Sequence, residues 1–422
     1  MRGRSGGVIA LAPSKADEAF ATLLPADASP SERASFAQFR QAGLPSRRVE
    51  SWHYSDLRAR LRTVPPLAAA PDDASLSVAR GKLGASARLR IVTVDGFYAP
   101  DLSDDVSKIA GVAIASARET DFLGAAADPL LDLNAALSRG GFVLDIAAGA
   151  RIDPVIEIVA LTGAQTDRSR FGRNLIRLGA KARAQIVETR DEGFAGFGDS
   201  ALFIELGEDA QLDHACRCRE TAGVELQSFT ATLAARAKLR SVALLAQTPF
   251  LRRQYFVSLA GEGAQLHLGG AAVLGRNDHA DVTLVVRHDA PHGLSRETFK
   301  YVLADHANGV FQGKITVPPH AQKTDGKMMC RGLLLSDEAA LSAKPELEIF
   351  ADDVACGHGA AVTKLDAQNL FYLETRGIPT IEAEKILIDA FAADVFDALE
   401  SEVLRDLLRV DLSEILGEET LV

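Results

Sequence analysis

Short apolar runs separated by turn residues fill the middle of the chain, from Gly141 to Leu365. Within them one phrase recurs, in which an alanine follows an apolar residue by four positions and a second apolar residue comes two positions later. The copies, two of them looser, are Ile146/Ala150/Ile152, Leu178/Ala182/Ile186, Leu206/Ala210/Leu212, Leu233/Ala237/Leu239 and Leu259/Ala264/Leu266. Their starts lie 32, 28, 27 and 26 residues apart, which is the length of one solenoid coil.

The repeated phrase predicts a mainly β fold with a parallel β-helix core over residues 141–365. A small residue would turn a tight corner, and the flanking apolar residues would point into a narrow interior that each coil closes by stacking on the next. A β-sandwich with irregular turns is the alternative that this weak repeat leaves open.

The N-terminal part, residues 1–140, has a different pattern. Apolar pairs at helical spacing over Ser14 to Leu61 and again over Pro129 to Leu137 predict helices. Leu89 to Val94 alternates apolar and polar residues and predicts a strand. We therefore expect a helical region that includes a small α/β segment.

The C-terminal part, residues 366–422, becomes helical again after Gly377. Thr380 is the expected N-cap. One apolar stripe at spacings of three and four is formed by Ile388, Phe391, Val395, Leu399 and Val403. Such a helical end would either cap the solenoid or dock a partner, and both interpretations fit the pattern.

Charge and hydropathy narrow the function classes. The net charge is −11, from 46 basic and 57 acidic residues, so no basic excess exists to displace counterions from nucleic acid. No run approaches the roughly 20 apolar residues that span a bilayer, and Val8 to Leu11, within Met1 to Pro13, is too short for a secretory segment. We expect a cytoplasmic protein that contacts other proteins, not nucleic acid or membrane.

Four cysteines in so long a chain do not form a disulfide framework. Cys216 and Cys218, two positions apart on a strand, would place both sulfurs on one face together with His214. Three groups are too few for the usual four-ligand metal site, so we favour packing or an exposed strand face for this group. Cys330 has no local partner.

The segment Cys356-Gly357-His358-Gly359 is different. On extended chain Cys356 and His358 would present a thiolate and an imidazole on the same side, and these ligand types suit iron in a sulfide-rich site. Two ligands are an incomplete set. The residues alone leave two alternatives open, a structural role or a site completed by a second subunit.

Five histidines follow one another before this segment: His279, His288, His292, His306 and His320. Their spacings of 9, 4, 14 and 14 residues match no compact ligand set. Separate solvated or hydrogen-bonded imidazoles are favoured over a metal pathway, which a solenoid would permit by stacking distant residues.

Several phrases in order resemble the SufD group of the SufB/SufD family of iron–sulfur cluster assembly scaffolds. They are Gly309–Ile315, Ala321–Asp325, Leu333–Ser336, Lys344–Ile349, Asp352–Val354, Cys356–Ala360, Leu370–Leu373 and Arg376–Ile378, with Glu50-x-Trp52-x-Tyr54-x-Asp56-Leu57 and Leu133–Ala136 earlier. The match is dense over about 309–391 and thinner elsewhere. Gly357 and Ala361 depart from the usual Cys-Ser-His-Gly-Ala-Thr, and 326–332 departs from an Asn-rich stretch, which weakens Cys356 as a ligand most.

The resemblance implies a right-handed parallel β-helix with helical ends and no catalytic site. It also implies a complex with SufB at the β-helix edge and with the SufC ATPase at the C-terminal helices. His358, with Cys356 as a neighbouring candidate, would bind iron or a nascent iron–sulfur cluster transiently, shared with SufB. No tightly bound cofactor is expected in the isolated chain, which could also form a homodimer.

Two alternatives to this function remain. A β-helix enzyme acting on carbohydrates would need grouped acids or bases and aromatic side chains on one face, and the single Trp52 lies outside the solenoid. A purely structural adaptor would bind the same partners without any role in metal binding.

Overall fold

The structure, a computed structural model, describes residues 15–118, 121–122, 128–190, 193–219 and 221–417. The expectation that Met1 to Pro13 is not a secretory segment, and the predicted helix start at Ser14, lie outside these residues. Among the described helices, none is both long enough and apolar enough to cross a membrane.

In the described residues, nineteen strands form two sheets. The first sheet contains β3 (Val112–Ser116), β4 (Phe142–Ile146), β6 (Ser169–Leu178), β8 (Phe197–Leu206), β10 (Val224–Leu233), β12 (Phe250–Leu259), β14 (His279–His288), β16 (Asn308–Val317) and β18 (Ala340–Ile349). The second contains β1 (Leu89–Val94), β2 (Phe97–Tyr98), β5 (Ile156–Leu161), β7 (Arg183–Arg190), β9 (Gln211–Cys218), β11 (Lys238–Ala246), β13 (Gln265–Leu274), β15 (Leu294–Leu303), β17 (Asp325–Leu334) and β19 (Gly357–Thr363).

Each coil of the chain contributes one strand to each sheet, so that sequence neighbours lie in opposite sheets and next neighbours pair in parallel. Equivalent positions stack in register: Leu206, Leu233 and Leu259 are successive rungs of one column. The inward-facing side chains of both sheets form a single hydrophobic core. The mainly β fold with a parallel solenoid is therefore confirmed, and the irregular β-sandwich is not.

The alanines of the repeated phrase occupy one corner of successive coils, as predicted. Ala182, Ala210 and Ala237 are each fully buried. The residue directly before each alanine carries the turn, with positive φ in the left-handed region. These residues are Gly149, Lys181, Asp209, Arg236 and Gly263, with φ of 74°, 62°, 58°, 56° and 69°.

Of the N-terminal helices, α4 (Asp73–Lys82) packs on the outer face of the second sheet, against β1 and β5. The others, α1 (Lys15–Ala21), α2 (Pro30–Ala42), α3 (Leu57–Arg60) and α5 (Pro129–Leu137), cover the outer face of the first sheet. Phe20, Phe39 and Trp52 pack there against outward-facing residues of the sheet such as Phe197 and Phe250. The predicted bounds of β1 and α5 agree with the structure.

The C-terminal helices are α6 (Ala367–Thr375), α7 (Thr380–Ala393) and α8 (Glu402–Gly417), and the latter two cover the outer face of the second sheet. The predicted N-cap is wrong: Pro379 caps α7 without a side-chain hydrogen bond, and Thr380 is the first helical residue. The five residues of the predicted apolar stripe do not lie on one helix either. The stripe is interrupted after α7, and although Ile388 is buried, Val403 is 54% exposed.

The two ends of the solenoid differ. At the N-terminal end the antiparallel strands β2 and β3 close the sheets against β1 and β4. At the other end β18 and β19 are the last strands, each paired on one side only within the described residues. We call this second end the open end.

Candidate functional site

Cys356 lies in the corner that leads into β19, held on the coil beneath it. The backbone N–H of Ala355 donates to the carbonyl of Thr324 at 2.8 Å, and that of Lys323 donates to the carbonyl of Asp353 at 2.7 Å. Cys356 is half-buried, and burial raises the pKa of its thiol despite a hydrogen bond from the backbone N–H of Gly326. The thiol is therefore accessible but predominantly protonated at neutral pH.

His358 is exposed on β19, the edge strand of the open end. It is paired in register with Met328, whose side chain is buried in the solenoid core. His358 thus continues an interior column of the solenoid, and solvent reaches it because no further coil covers it. No hydrogen bond to its imidazole is found among the described residues.

Cys356 and His358 belong to the inward-facing side of the last coil. Cys356 Sγ stands over Gly326, at 3.6 Å from the position that a Cβ would take there, and His358 stands over Met328. The geometry thus brings a thiol and an imidazole together at one end of the interior. No three His, Cys, Asp or Glu side chains of the described residues converge as a complete metal site.

Cys216 and Cys218 share one face of β9 with His214, as predicted from their spacing. That face is the interior, and all three side chains are buried. Burial raises the pKa of the Cys216 thiol to about 12, which keeps it neutral. Packing, one of the two roles favoured for this group, is what the structure shows.

Sequence reasoning missed the polar network around Cys216. Arg253, 2% exposed, donates from Nη1 to Cys216 Sγ at 3.2 Å and to Gln227 Oε1 at 2.7 Å. It also donates from Nε to Tyr255 Oη at 2.7 Å and from Nη2 to Glu188 Oε1 at 3.2 Å. The available signal was parity, because Arg253 alternates with the apolar interior residues of its strand.

The histidines before the open end do not converge. His279 stacks on Phe250 and bonds Ser55 Oγ at 2.9 Å, while His288 Nε2 bonds Ser295 Oγ at 2.9 Å. His320 bonds a backbone carbonyl at 3.0 Å. Individual hydrogen-bonded imidazoles, the favoured interpretation, describe these three.

The N-terminal motif around Trp52 anchors the helices to the solenoid. Trp52 is 2% exposed, with the guanidinium of Arg252 3.8 Å from its ring centroid. Arg252 in turn donates to Asp281 Oδ2 at 2.6 Å, and Ser55 bonds the same carboxylate. Because Trp52 is covered in this way, its ring cannot stack on a sugar, as the carbohydrate-enzyme alternative would require.

Apolar side chains are exposed at the open end and on the C-terminal helices. Phe350 is 63% exposed after β18, and Val362 is 50% exposed on β19. On α6, which buries none of its residues, Phe371 is 66% exposed, and Ile381 on α7 is 62% exposed. A partner seated on these surfaces would bury the exposed apolar side chains.

Comparison with known proteins identifies relatives. A family model described as SUF system FeS cluster assembly, SufBD core domain, matches residues 160–391, more than half of the chain. The chain is 29% identical over 399 residues to the iron–sulfur cluster assembly protein SufD of Escherichia coli, covering 89% of this chain and 90% of that protein.

Two further relatives point the same way. A SufBD family iron–sulfur cluster assembly protein of Synechocystis is 28% identical over 394 residues, covering 87% of this chain and 86% of that protein. The iron–sulfur cluster assembly protein SufD of Bacillus subtilis is 40% identical over 101 residues, covering 24% of this chain and 23% of that protein.

Proposed function

Because the chain belongs to the SufBD family of iron–sulfur cluster assembly proteins, we propose that it is a SufD-type, non-catalytic scaffold subunit. In this proposal the open end pairs with SufB, and the C-terminal helical region, residues 366–422, docks the SufC ATPase. Iron or a nascent cluster is the cargo, held transiently by His358, with Cys356 beside it, and by groups of SufB. The observation that carries the proposal is the placement of this incomplete ligand pair at an uncovered solenoid end.

The asymmetry of the two ends supports SufB pairing. The last strands, β18 and β19, offer unpaired backbone donors and acceptors, which are suited to strand addition by another chain. The exposed Phe350 and Val362 add apolar surface to the same end. A partner solenoid seated there would continue both sheets and cover the site.

The donor set supports the cargo. Thiolate and imidazole are ligands of iron–sulfur clusters, and two ligands from this chain leave coordination positions for sulfide and for a partner. A complete site within one subunit would retain the cluster, whereas a scaffold must release it.

The attachment of the C-terminal helices supports a mechanical role. Asp411 on α8 forms a bidentate ion pair with Arg217, and Lys300 Nζ donates to the carbonyl of Phe391 on α7 at 2.7 Å. Helices α7 and α8 are fixed to the second sheet, whereas α6 buries no residue and leaves its surface free to bind SufC. A movement of SufC bound to α6 and α7 would therefore be transmitted through α7 to the solenoid and its open end. ATP-driven exposure of Cys356 and His358 is the mechanism that we propose.

The test is His358→Ala, co-expressed with SufB and SufC. We expect the complex to form normally and its iron and acid-labile sulfide content to fall to background, because the imidazole is exposed and makes no hydrogen bond among the described residues. His306→Ala, another exposed histidine, is the matched control and should leave both quantities unchanged. Equal iron and sulfide in His358→Ala would instead favour a structural adaptor.

A further inference from the structure

A buried acid lies two coils below the candidate site. Glu297 on β15 is fully buried, and neither of its carboxyl oxygens has a hydrogen-bond partner among the described residues. Burial raises the pKa of this carboxyl to about 8. An orphaned acid in an apolar interior costs several kcal/mol unless something compensates it, so its presence calls for an explanation.

The register places Glu297 in the column of the site. Glu297 pairs with Met328 on the next coil, and Met328 pairs with His358 on the last one. The neighbouring column runs from Ser295 through Gly326 to the position of Cys356, and Gly326 leaves a gap bordered by Ser295 Oγ and Cys356 Sγ. The register therefore places the carboxyl in the column of the imidazole and one column away from the thiol. The three groups do not converge among the described residues as they stand, because buried Met328 lies between the carboxyl and the imidazole.

No charged side chain among the described residues forms an ion pair with the Glu297 carboxyl. Arg296 faces the opposite side of the strand and donates to Asp325 Oδ2 at 2.6 Å. Ser295 Oγ is close enough to favour the ionised acid slightly, but its hydrogen bond of good geometry, 2.9 Å long, is to His288 Nε2. A cation bound at the open end would supply the partner that this carboxyl lacks.

We propose that Glu297 is a third ligand, from the interior side, of a divalent-cation site whose outer ligands are Cys356 and His358. The inference rests on the proposed function for the identity of the cargo, ferrous iron, which accepts carboxylate, imidazole and thiolate ligands. It extends the site from an exposed pair on the last coil to a set that reaches two coils into the solenoid.

Met328 is the group that must move. Its side chain lies between Glu297 and His358 in the column, and its thioether fills the space above Gly313, where a Cβ would lie 2.3 Å from the sulfur. Methionine is unbranched and flexible, so it can turn aside. Two strand spacings, roughly 10 Å between Cα atoms, then separate Glu297 from His358, a span that both side chains and two metal–ligand bonds of ~2 Å each can cover.

The experiment titrates the purified full chain with Co²⁺, a spectroscopic substitute for Fe²⁺. Cys356 is the one cysteine that is not fully buried, so a thiolate-to-cobalt absorption band reports on this site, and Cys356→Ser should abolish it. For Glu297→Gln we expect affinity to fall on the order of 10- to 100-fold. Glu346→Gln, an outward-facing acid of β18 paired with Lys344, is the control and should bind as the wild type does.

Glu297→Leu separates binding from folding. Leu268 precedes Glu297 in the same column, so leucine fits the environment, and we expect a higher melting temperature together with weakened Co²⁺ binding. Equal affinity in wild type and Glu297→Gln, or no binding by the wild type at millimolar Co²⁺, overturns the inference.

The outcomes for Glu297 and for the proposed function are distinguishable. If cluster assembly depends on His358 while Co²⁺ affinity does not depend on Glu297, only the third ligand is wrong. If Glu297→Gln weakens Co²⁺ binding while His358→Ala assembles clusters normally, the cation site stands and the assembly role of His358 falls.

Discussion

At the scale of single residues, the interior of this solenoid contains charges that a purely structural rod would not need. Arg253 and Glu188 lie among apolar side chains and are hydrogen-bonded to each other at 3.2 Å, and Glu188 also contacts His214 and Arg190. A buried pair of this kind contributes little net stability when intact, but the removal of one partner leaves the other uncompensated. Residues of this network should therefore be sensitive to substitution although no ligand touches them.

The substitution Arg253→Met tests this directly. We expect a loss of about 1–3 kcal/mol in the free energy of unfolding, measured by urea denaturation, because Gln227 Oε1 and Tyr255 Oη would lose buried hydrogen bonds. Glu188 would keep His214 and Arg190 as partners. Arg287→Met removes an arginine that is 59% exposed and paired with Asp289, and it should cost about 0.5 kcal/mol or less. Similar small losses for both variants would show that the network is not tightly coupled.

The positions of the candidate ligands and of the buried charges could be predicted from the sequence only in part. The common side of Cys356 and His358 follows from the two-residue period of extended chain, which holds whatever the fold. The position of Glu297 beneath them does not, because it depends on pairing between segments about 30 residues apart whose register no local pattern fixes. The contact between Arg253 and Cys216 could not be predicted from the sequence for the same reason.

At the scale of elements, the corners set the geometry of the coils. Gly263 has φ of 69°, and a Cβ added there would meet only Arg236 Cγ, at 3.5 Å. Steric space is therefore available, and the cost of a side chain at this corner is conformational. Elsewhere in the ladder Lys181, Asp209 and Arg236 already bear that cost.

Gly263→Ala should consequently destabilise the protein by about 1–2 kcal/mol, the cost of a left-handed residue with a Cβ. Urea denaturation measures it. Gly84→Ala is the matched control: Gly84 also has open space around its Cβ position but lies outside the left-handed region, so alanine should be neutral or slightly stabilising there. Equal effects at both positions would contradict the assignment of the corner.

Elements with strong local patterns were predictable, and those defined by tertiary packing were not. The bounds of β1 and α5 follow from alternation and from a proline-started helix. The prediction of a single apolar stripe at the C-terminus was wrong, because α7 and α8 pack on the second sheet as separate helices. Their contacts with the sheet determine which apolar residues are buried. Thr380 is not the N-cap because the N-cap position falls on Pro379, whose backbone is extended, and Thr380 is already the first helical residue.

At the scale of the whole molecule, the rod is closed at one end and open at the other. Antiparallel strands and helices cover the first coil, whereas β18 and β19 leave the ligand pair, exposed apolar side chains and unpaired strand edges together. A solenoid whose last coil lacks a polar cap is expected to meet another chain there. We therefore propose that SufB binds the open end and that the site is half of a shared one.

The most direct measurement is maleimide labelling of the native chain at pH 8, read by mass spectrometry, with and without SufB. Cys216, Cys218 and Cys330 are at most 1% exposed, so the free chain should be labelled at Cys356 alone. In the complex with SufB this labelling should disappear, because the partner covers the open end. Labelling of Cys356 at an unchanged rate in the complex would contradict the account.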